Sequence, residues 1–298
     1  NALLAKTYLY LGTDWSSCRQ RCEEVFPAII DISLDDGEYF LDANYGNIFT
    51  EDGENGSGSI WEIQYANNSG GNWGAQFWSE GSYTNVWQRA RGNFNGYGFN
   101  LPTQDFVDEF ETWEEVIGLD TITKTDPRLG YTVFKFGDNA AGWDELSEET
   151  TGMPHPFYAR KYFNPEGELA PFGDPNPNGG SNDRVIRLAD VILMHAEACY
   201  HLGDFTAAIE SLNMIRNRAF VPEVSESLSG QDLLDAIYHE RRVELGLEGH
   251  RFFDLVRTGR ATAELGELGF TANKNEVLPV PQSEIDISEG NLIQNAGY

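Results

Sequence analysis

The chain has 298 residues, with 20 Lys and Arg against 48 Asp and Glu, a net charge of −28 at pH 7 with histidine neutral. That length suits one large domain or two ordinary ones with a buried core, and so negative a sum, with no basic stripe to override it, excludes nucleic acid and anionic membrane surfaces as ready partners. At 40% hydrophobic and 13% aromatic residues the chain is too apolar to be disordered, and no apolar run approaches the ~18 residues of a membrane span.

Residues 1 to about 26 read as a helix that stops at Gly12 and a second helix carrying Cys18, Cys22 and Val25. The chain opens without Met, directly in a helical pattern, and is expected to be the C-terminal part of a longer protein. Cys18, Cys22 and Cys199 fit no CxxC or zinc spacing and are expected to be small core-facing residues. Residues 27–183 are of another kind. Gly, Asn, Asp, Ser and Pro separate short aromatic runs, the composition of long surface loops on a scaffold, and such loops are usually functional. Within this region Ser59–Tyr65 alternates as a strand does, and Pro102-Thr103 is expected to cap a helix running through Val107, Phe110 and Ile117, with Asp108, Glu109, Glu111, Glu114 and Glu115 on its outer side.

From Arg184 the pattern is helical again. Val185, Leu188, Ile192, Ala196 and Cys199 form one apolar stripe and Phe205, Ala208, Ile209, Leu212 and Ile215 a second, with Gly203 ending the first helix and Asp204 capping the next. Placing Ala5 on Ala196, Leu11 on Leu202 and Gly12 on Gly203 aligns this hairpin with the N-terminal one. The shared pattern resembles the tetratricopeptide hairpin, in which small residues allow close packing and Gly makes the turn. A repeat needs a stacked neighbour, and further hairpins are expected upstream. A third helical block starts at Ser229, where Ser229 and Asp232 suggest a capping box, and Asn275–Tyr298 reads as an extended tail. The fold expected is mostly α, with tetratricopeptide-like helical hairpins and a long loop-rich insertion containing short strands: a hairpin at 1–26, the insertion at 27–183, and a hairpin, a further helix and the tail at 184–298, all in one domain lacking its N-terminal part.

Several stretches resemble the SusD/RagB family. Arg187-Leu188-Ala189-Asp190-Val191-Ile192-Leu193-Met194-His195-Ala196-Glu197-Ala198 is similar to its most recognisable segment, and Glu240 to Leu255, reading ERRVELGLEGHRFFDL, to another. Leu278-Pro279-Val280-Pro281-Gln282-Ser283-Glu284-Ile285 with Gln294 to Tyr298 looks like the family's ending; Leu101-Pro102-Thr103-Gln104, Asp126-Pro127-Arg128-Leu129 and Arg160-Lys161-Tyr162 are weaker matches in the same order. The resemblance implies a non-catalytic glycan-binding lipoprotein on the outer face of a Bacteroidetes-type outer membrane, passing oligosaccharides to a SusC-like TonB-dependent transporter. Membrane contact would be only through a lipid anchor absent from this chain.

Sugar binding needs flat apolar faces for pyranose rings and a few placed polar groups. Residues 66–99 supply both: Trp73, Phe77, Trp78, Tyr83, Trp87, Tyr97 and Phe99 alternate with Asn67, Asn68, Asn72, Gln88, Arg89 and Arg91. The resemblance implies that glycan-contacting aromatics come from this region, and Trp73, Trp78, Tyr83 and Trp87 are the leading candidates, with Asn72, Arg89, Arg91 and Trp143 behind them. At least one of these aromatics should be exposed, against the alternative that they pin the loop to the helices. In 137–156 the acidic residues Asp144, Glu145, Glu148 and Glu149 read as a solvated face.

Asp174, Asn176 and Asn178 before Gly179 reproduce the opening of a calcium loop, but the twelfth position is Val185 rather than Glu; no other cofactor is suggested. No HExxH, P-loop, G-x-S-x-G or dinucleotide fingerprint occurs, and spacing alone selects no glycosidase pair among so many acids. His195 reads as a satisfied core residue. Glu240, Arg241, Arg242, Glu248, Arg251 and Asp254 read as a structural ion-pair network. The acidity favours a neutral glycan, the rival being a scaffold that docks only the transporter and has no working glycan site.

Overall fold

Gly12 and Gly203 sit in the left-handed region, at φ 67° and 79°, and each ends a helix where a side chain would be strained. In the computed structural model, which describes residues 1–26, 39–67, 81–140, 142–166, 169, 176 and 178–298, Gly12 ends α1 (Ala2–Leu11) and Asp14 caps α2 (Trp15–Glu23) by accepting from the Ser17 amide. The insertion then supplies β1 (Ser59–Ile63), α3 (Thr84–Gln88), α4 (Gln104–Val107), β2 (Thr112–Ile117), β3 (Asp120–Thr125), α5 (Arg128–Thr132), β4 (Val133–Lys135), α6 (Glu148–Thr151), β5 (Phe157–Ala159) and β6 (Asp183–Arg187). Helices α7 (Leu188–His201), α8 (Phe205–Arg218) and α9 (Gly230–Glu244) follow. Asp204 caps α8 through the Ala207 amide, as Asp14 does in the first hairpin.

The two hairpins are each other's neighbour. Helix α2 packs on α7, and Ala5, Leu9, Cys18 and Cys22 share one core with Ile192, Ala196, Cys199, Leu212 and Ile215, to which α9 adds Leu233 and Ile237. All three cysteines are free and buried there. Trp15 stacks on His201 with ring centroids 3.9 Å apart, Arg19 reaches Asp204 at 2.8 Å, and His195 is satisfied by Ser211 Oγ at 2.8 Å, with burial lowering its pKa.

Three local expectations change. Val185 lies in β6, not in the α7 stripe, because Asp183–Arg187 pairs antiparallel with β1. The helix capped by Thr103 ends at Val107, and Thr112–Thr125 is an antiparallel hairpin turning at Gly118, φ 67°. Its β-branched density, Val116, Ile117, Thr121, Ile122 and Thr123, outweighs a three-point helical periodicity. Glu109 and Glu111 are therefore not a solvated helix face; they accept from Arg242 and Arg216. Ser229 makes no side-chain cap bond, and Gly230 at φ 58° lies outside the right-handed region that a capping box assumes.

The acidic end of α9 gathers the rest. Glu240 and Glu244 are fully buried. Arg128 Nη1 contacts both and Arg128 Nη2 holds Asp126 at 2.7 Å; Arg187 bridges Glu244 at 3.1 Å and Glu248 at 2.7 Å; Arg218 adds a bond to Glu244 and Arg216 one to Glu240. Lys161 is bonded to Glu248 at 2.7 Å and to the Glu244 carbonyl at 3.0 Å, and Tyr45 donates to that same carbonyl. Cations at a helix C-terminus also complement its dipole. The expected network is thus real for Glu240 and Glu248, but its cations come from across the chain. Arg241 instead joins Asp190, which Lys6 of α1 also reaches.

Residues Gly249–Tyr298 form a second compact unit. There Arg251 and Arg260 both hold Glu264, in α10 (Arg251–Arg257) and α11 (Ala261–Leu265), and Arg257 pairs with Asp254. The tail is less extended than expected, since it includes α12 (Gln282–Ile287), and Gln294 closes it by bonding both the N–H and the C=O of Val280.

Glu244 has its pKa driven well down by Arg218, Arg187 and Arg128 despite full burial, which acts the other way. A carboxylate depressed in the folded state adds stability that is complete above its unfolded pKa of ~4.3 and is lost as pH falls below that toward the folded value. Glu244→Gln, which keeps the shape and removes the charge, is expected to destabilise the protein by about 3–5 kcal/mol at pH 7, as breaking a buried pair does, and to flatten the acid limb of stability against pH. Urea denaturation at pH 7 and pH 3.5 measures both; a change below about 1 kcal/mol at pH 7 would show that the hub is not what holds these segments together.

Candidate functional site

The described part of the aromatic region, Gly81–Asn100, is fixed at its start and folded back on itself. Ser82 pairs with Gly179 in both directions, at 2.8 and 3.1 Å. Gly81 lies so close to Asn178 that a Cβ would come within 2.3 Å of its Cα. After α3 the chain reverses: the amides of Gly96, Tyr97, Gly98 and Phe99 donate to the carbonyls of Ala90, Val86, Arg89 and Trp87 at 2.8–2.9 Å. A Cβ on Gly96 would stand 2.0 Å from the Arg89 carbonyl, so that close return requires glycine.

Arg89 holds the turn from inside. It is fully buried; Nε donates to Phe94 O at 2.6 Å, Nη1 to Asn164 Oδ1 at 2.9 Å and Nη2 to Asn176 Oδ1 at 2.6 Å. Its guanidinium lies 5.1 Å from the Trp143 ring centroid. These acceptors are neutral, and burial pulls the Arg89 pKa down to about 10. Trp143 is half-buried, with Nε1 donating to Asn164 O at 3.1 Å and its ring against Phe94, in a small core with Phe134, Leu146, Tyr158 and Phe163.

On the outer side of this turn, Trp87 is 50%, Tyr97 42% and Phe99 53% exposed. The Tyr97 and Phe99 rings are parallel to within 15°, with centroids 5.7 Å apart. Half-buried Tyr83 lies 6.1 Å from Trp87 at 41°. Asn100 Nδ2 donates to Gln88 Oε1 at 3.1 Å and exposed Arg91 donates from Nε to Tyr97 O at 2.7 Å, placing amide and guanidinium groups beside the rings. Such a surface offers flat apolar faces with polar groups at their rim, the chemistry that a sugar ring needs.

The structure thus places Tyr83 beside Trp87, and Arg91 on the Tyr97 carbonyl of the same turn. Trp73, Trp78 and Asn72 lie outside the described residues. Arg89 is corrected from a contact residue to a support, because a fully buried guanidinium cannot present itself to a ligand; Trp143 is half-buried, with its indole over that guanidinium. Tyr97 and Phe99 join the site from outside the leading candidates; the Gly-Tyr-Gly-Phe alternation was their signal, since flanking glycines let the backbone press inward and leave the rings outside. The calcium reading is also corrected where it can be seen: Asn176 Oδ1 faces the Arg89 guanidinium and Asn178 is buried against Gly81, while Asp174 lies outside the described residues. Among the described residues no group of three or more His, Cys, Asp or Glu is placed to hold a metal ion. Asp144, Glu145, Glu148 and Glu149 are exposed.

The model of the SusD family matches residues 57–298. The chain belongs to the SusD family. SusD-like protein P25 of Formosa agariphila is 26% identical over 92% of this chain and 54% of its own length, and SusD-like protein P38 of the same organism is 35% identical over 40% of this chain and 25% of its own. Among solved structures, a laminarin binding SusD-like protein superposes with TM-score 0.81 at 31% identity, over 100% of this chain and 61% of that one. Surface glycan-binding protein A of Bacteroides thetaiotaomicron, in complex with laminarihexaose, shares the fold at TM-score 0.75 and 24% identity, over 98% of this chain and 62% of its own. The chain thus spans little more than half the length of the curated SusD-like protein that it matches over most of its residues.

Arg89→Met, which removes the inner donors and leaves the Phe94, Asn164 and Asn176 oxygens unsatisfied, is expected to destabilise by several kcal/mol at about 1–3 per buried acceptor. Protease nicking within 89–99 should precede global unfolding. Limited proteolysis with mass mapping reads this, and wild-type resistance in that segment would contradict the supporting role.

Proposed function

We propose that the protein binds an uncharged oligo- or polysaccharide without cleaving it and passes it to a SusC-like TonB-dependent transporter, acting as a lipid-anchored protein at the outer face of the outer membrane. The observation that carries the binding step is the exposed surface of Trp87, Tyr97 and Phe99 on a backbone that Arg89 fixes from within. The sugar's C–H faces stack on these rings, while Gln88, Asn100 and Arg91 take its hydroxyls. Because the turn is already ordered by main-chain bonds, little conformational entropy is lost on capture. Membership of the SusD family supports the delivery step and the location. No helix among the described residues is long and apolar enough to cross a membrane, in keeping with anchoring by lipid.

The named ligand of the relative at 31% identity makes laminarin, an uncharged polysaccharide, the first one to try. The net charge of −28 argues against uronate and sulfate polymers.

Isothermal titration of the full-length protein with laminarin and with alginate is expected to show saturable binding to laminarin and none to alginate. Trp87→Ala should weaken laminarin binding at least tenfold with an unchanged melting temperature. Wild-type protein that retains no neutral glycan from a broad panel, yet still co-purifies with its transporter, would establish the docking scaffold instead.

A further inference from the structure

Helix α8 ends in a way that local stability does not explain. The Phe220 amide donates to Asn217 O and the Val221 amide to Arg216 O, both at 3.1 Å. This is the closure in which the left-handed residue is ordinarily glycine. Here that residue is Phe220, at φ 58° and 73% exposed. A bulky aromatic in the left-handed region is strained by its Cβ, and an exposed ring gains little burial in return. Strain of this kind points toward a site rather than a scaffold.

The ring stands at the edge of a groove of about 430 Å³ between the end of α8 and the base of the β2–β3 hairpin. Strand register pairs Trp113 with Lys124 and Glu115 with Ile122, so Trp113, Glu115 and Lys124 lie on one face of the hairpin, and all three line the groove with Asn217, Phe220 and Val221. Lys124 Nζ and Glu115 Oε2 are 3.5 Å apart and cancel in charge. The groove therefore offers an indole, an exposed phenyl, a balanced ion pair and the Asn217 amide, whose Nδ2 also donates to Glu223 Oε1 at 2.7 Å, in the volume range of small-ligand sites. It shares no residue with the Trp87–Phe99 surface.

We propose that this groove is a second carbohydrate subsite, binding one or two pyranose units of an uncharged glycan between Trp113 and Phe220, with Asn217 and the Lys124–Glu115 pair on the hydroxyls. The charge balance selects an uncharged ligand over an anionic one, and the paired polar groups select a sugar over a purely apolar segment. The class of ligand rests on the proposed function; the position does not.

Phe220→Gly is the decisive variant, since glycine relieves the left-handed strain while removing the ring. Titration with laminarihexaose, short enough to report sites separately, is expected to give two sites per wild-type protein. Phe220→Gly and Trp113→Ala should each leave one, with Phe220→Gly melting at or above the wild-type temperature. Trp87→Ala should leave the other. Full stoichiometry and affinity in both Phe220→Gly and Trp113→Ala would overturn the subsite even if Trp87→Ala abolished the remaining binding, which would leave the main surface standing. Conversely, binding that survives Trp87→Ala but vanishes in Phe220→Gly would uphold the groove and overturn the main surface. Impaired transporter co-purification with unchanged glycan binding in Phe220→Gly would reassign the groove to a protein partner.

Discussion

The structure depends on one electrostatic constraint: the carboxylates of Glu240, Glu244 and Glu248 are inside, and each must be matched there. An unpaired buried carboxylate costs several kcal/mol, so the fold closes only when Arg128, Arg187, Arg218 and Lys161, drawn from points far apart in the insertion and the second hairpin, reach the same place. This matching fixes more than it stabilises. Apolar packing alone lets loops slide, whereas a guanidinium forked between two carboxylates has one productive position. The hub thereby ties the long insertion to the helical hairpins. It also has a consequence for the outside. Its cations and carboxylates nearly cancel, so the excess of 48 acidic over 20 basic residues is left to the remainder of the chain.

Arg89 follows a different logic. It too is buried, but its bonds go to backbone carbonyls and asparagine side chains, and its pKa falls to about 10, where the Glu-paired Arg128 and Arg187 are raised. Neutral acceptors compensate a buried cation less well than carboxylates do, so this arrangement is a poor way to gain stability. It is a good way to fix geometry. Four hydrogen bonds from a rigid fork, to the carbonyls of Phe94 and Asn95 and to the side chains of Asn164 and Asn176, set the path of a turn too short to have a core of its own. Rings on the outside of that turn are then carried on a backbone whose path is fixed.

The sequence reveals the helical frame because its signals are local. Gly12 and Gly203 at helix ends, Asp14 and Asp204 at helix starts, and apolar stripes at helical spacing each predict their own element. The stacking of the two hairpins is legible only once both are recognised as the same motif. Thr103 correctly marks a helix start, but four residues later the chain leaves the helix, and Phe110 and Ile117 kept a helical spacing by coincidence within a β-branched run. The site was half legible. Aromatic density located it, yet Arg89 looked like an exposed hydroxyl-binding residue, because what buries it, Asn164 and Asn176, lies 75 and 87 residues away. No local pattern carries that information. Tyr97 and Phe99 were visible as aromatics, but their exposure is set by the return of Gly96 and Gly98 against Arg89, a tertiary fact.

Exposure that costs free energy is the common thread between the two surfaces. Burying a large aromatic side chain is worth about 1.5–3 kcal/mol, and the same stretch of chain buries Phe94, five residues before Phe99, in a small core with Phe134 and Phe163. It leaves Trp87, Tyr97 and Phe99 outside instead, on a turn held by a buried cation. Phe220 is the same choice made by the backbone: a left-handed residue where glycine would be unstrained, carrying a ring that meets mainly solvent. Rings held outward on a fixed backbone suit a binding surface, because they present their faces without a reorganisation penalty when the ligand arrives.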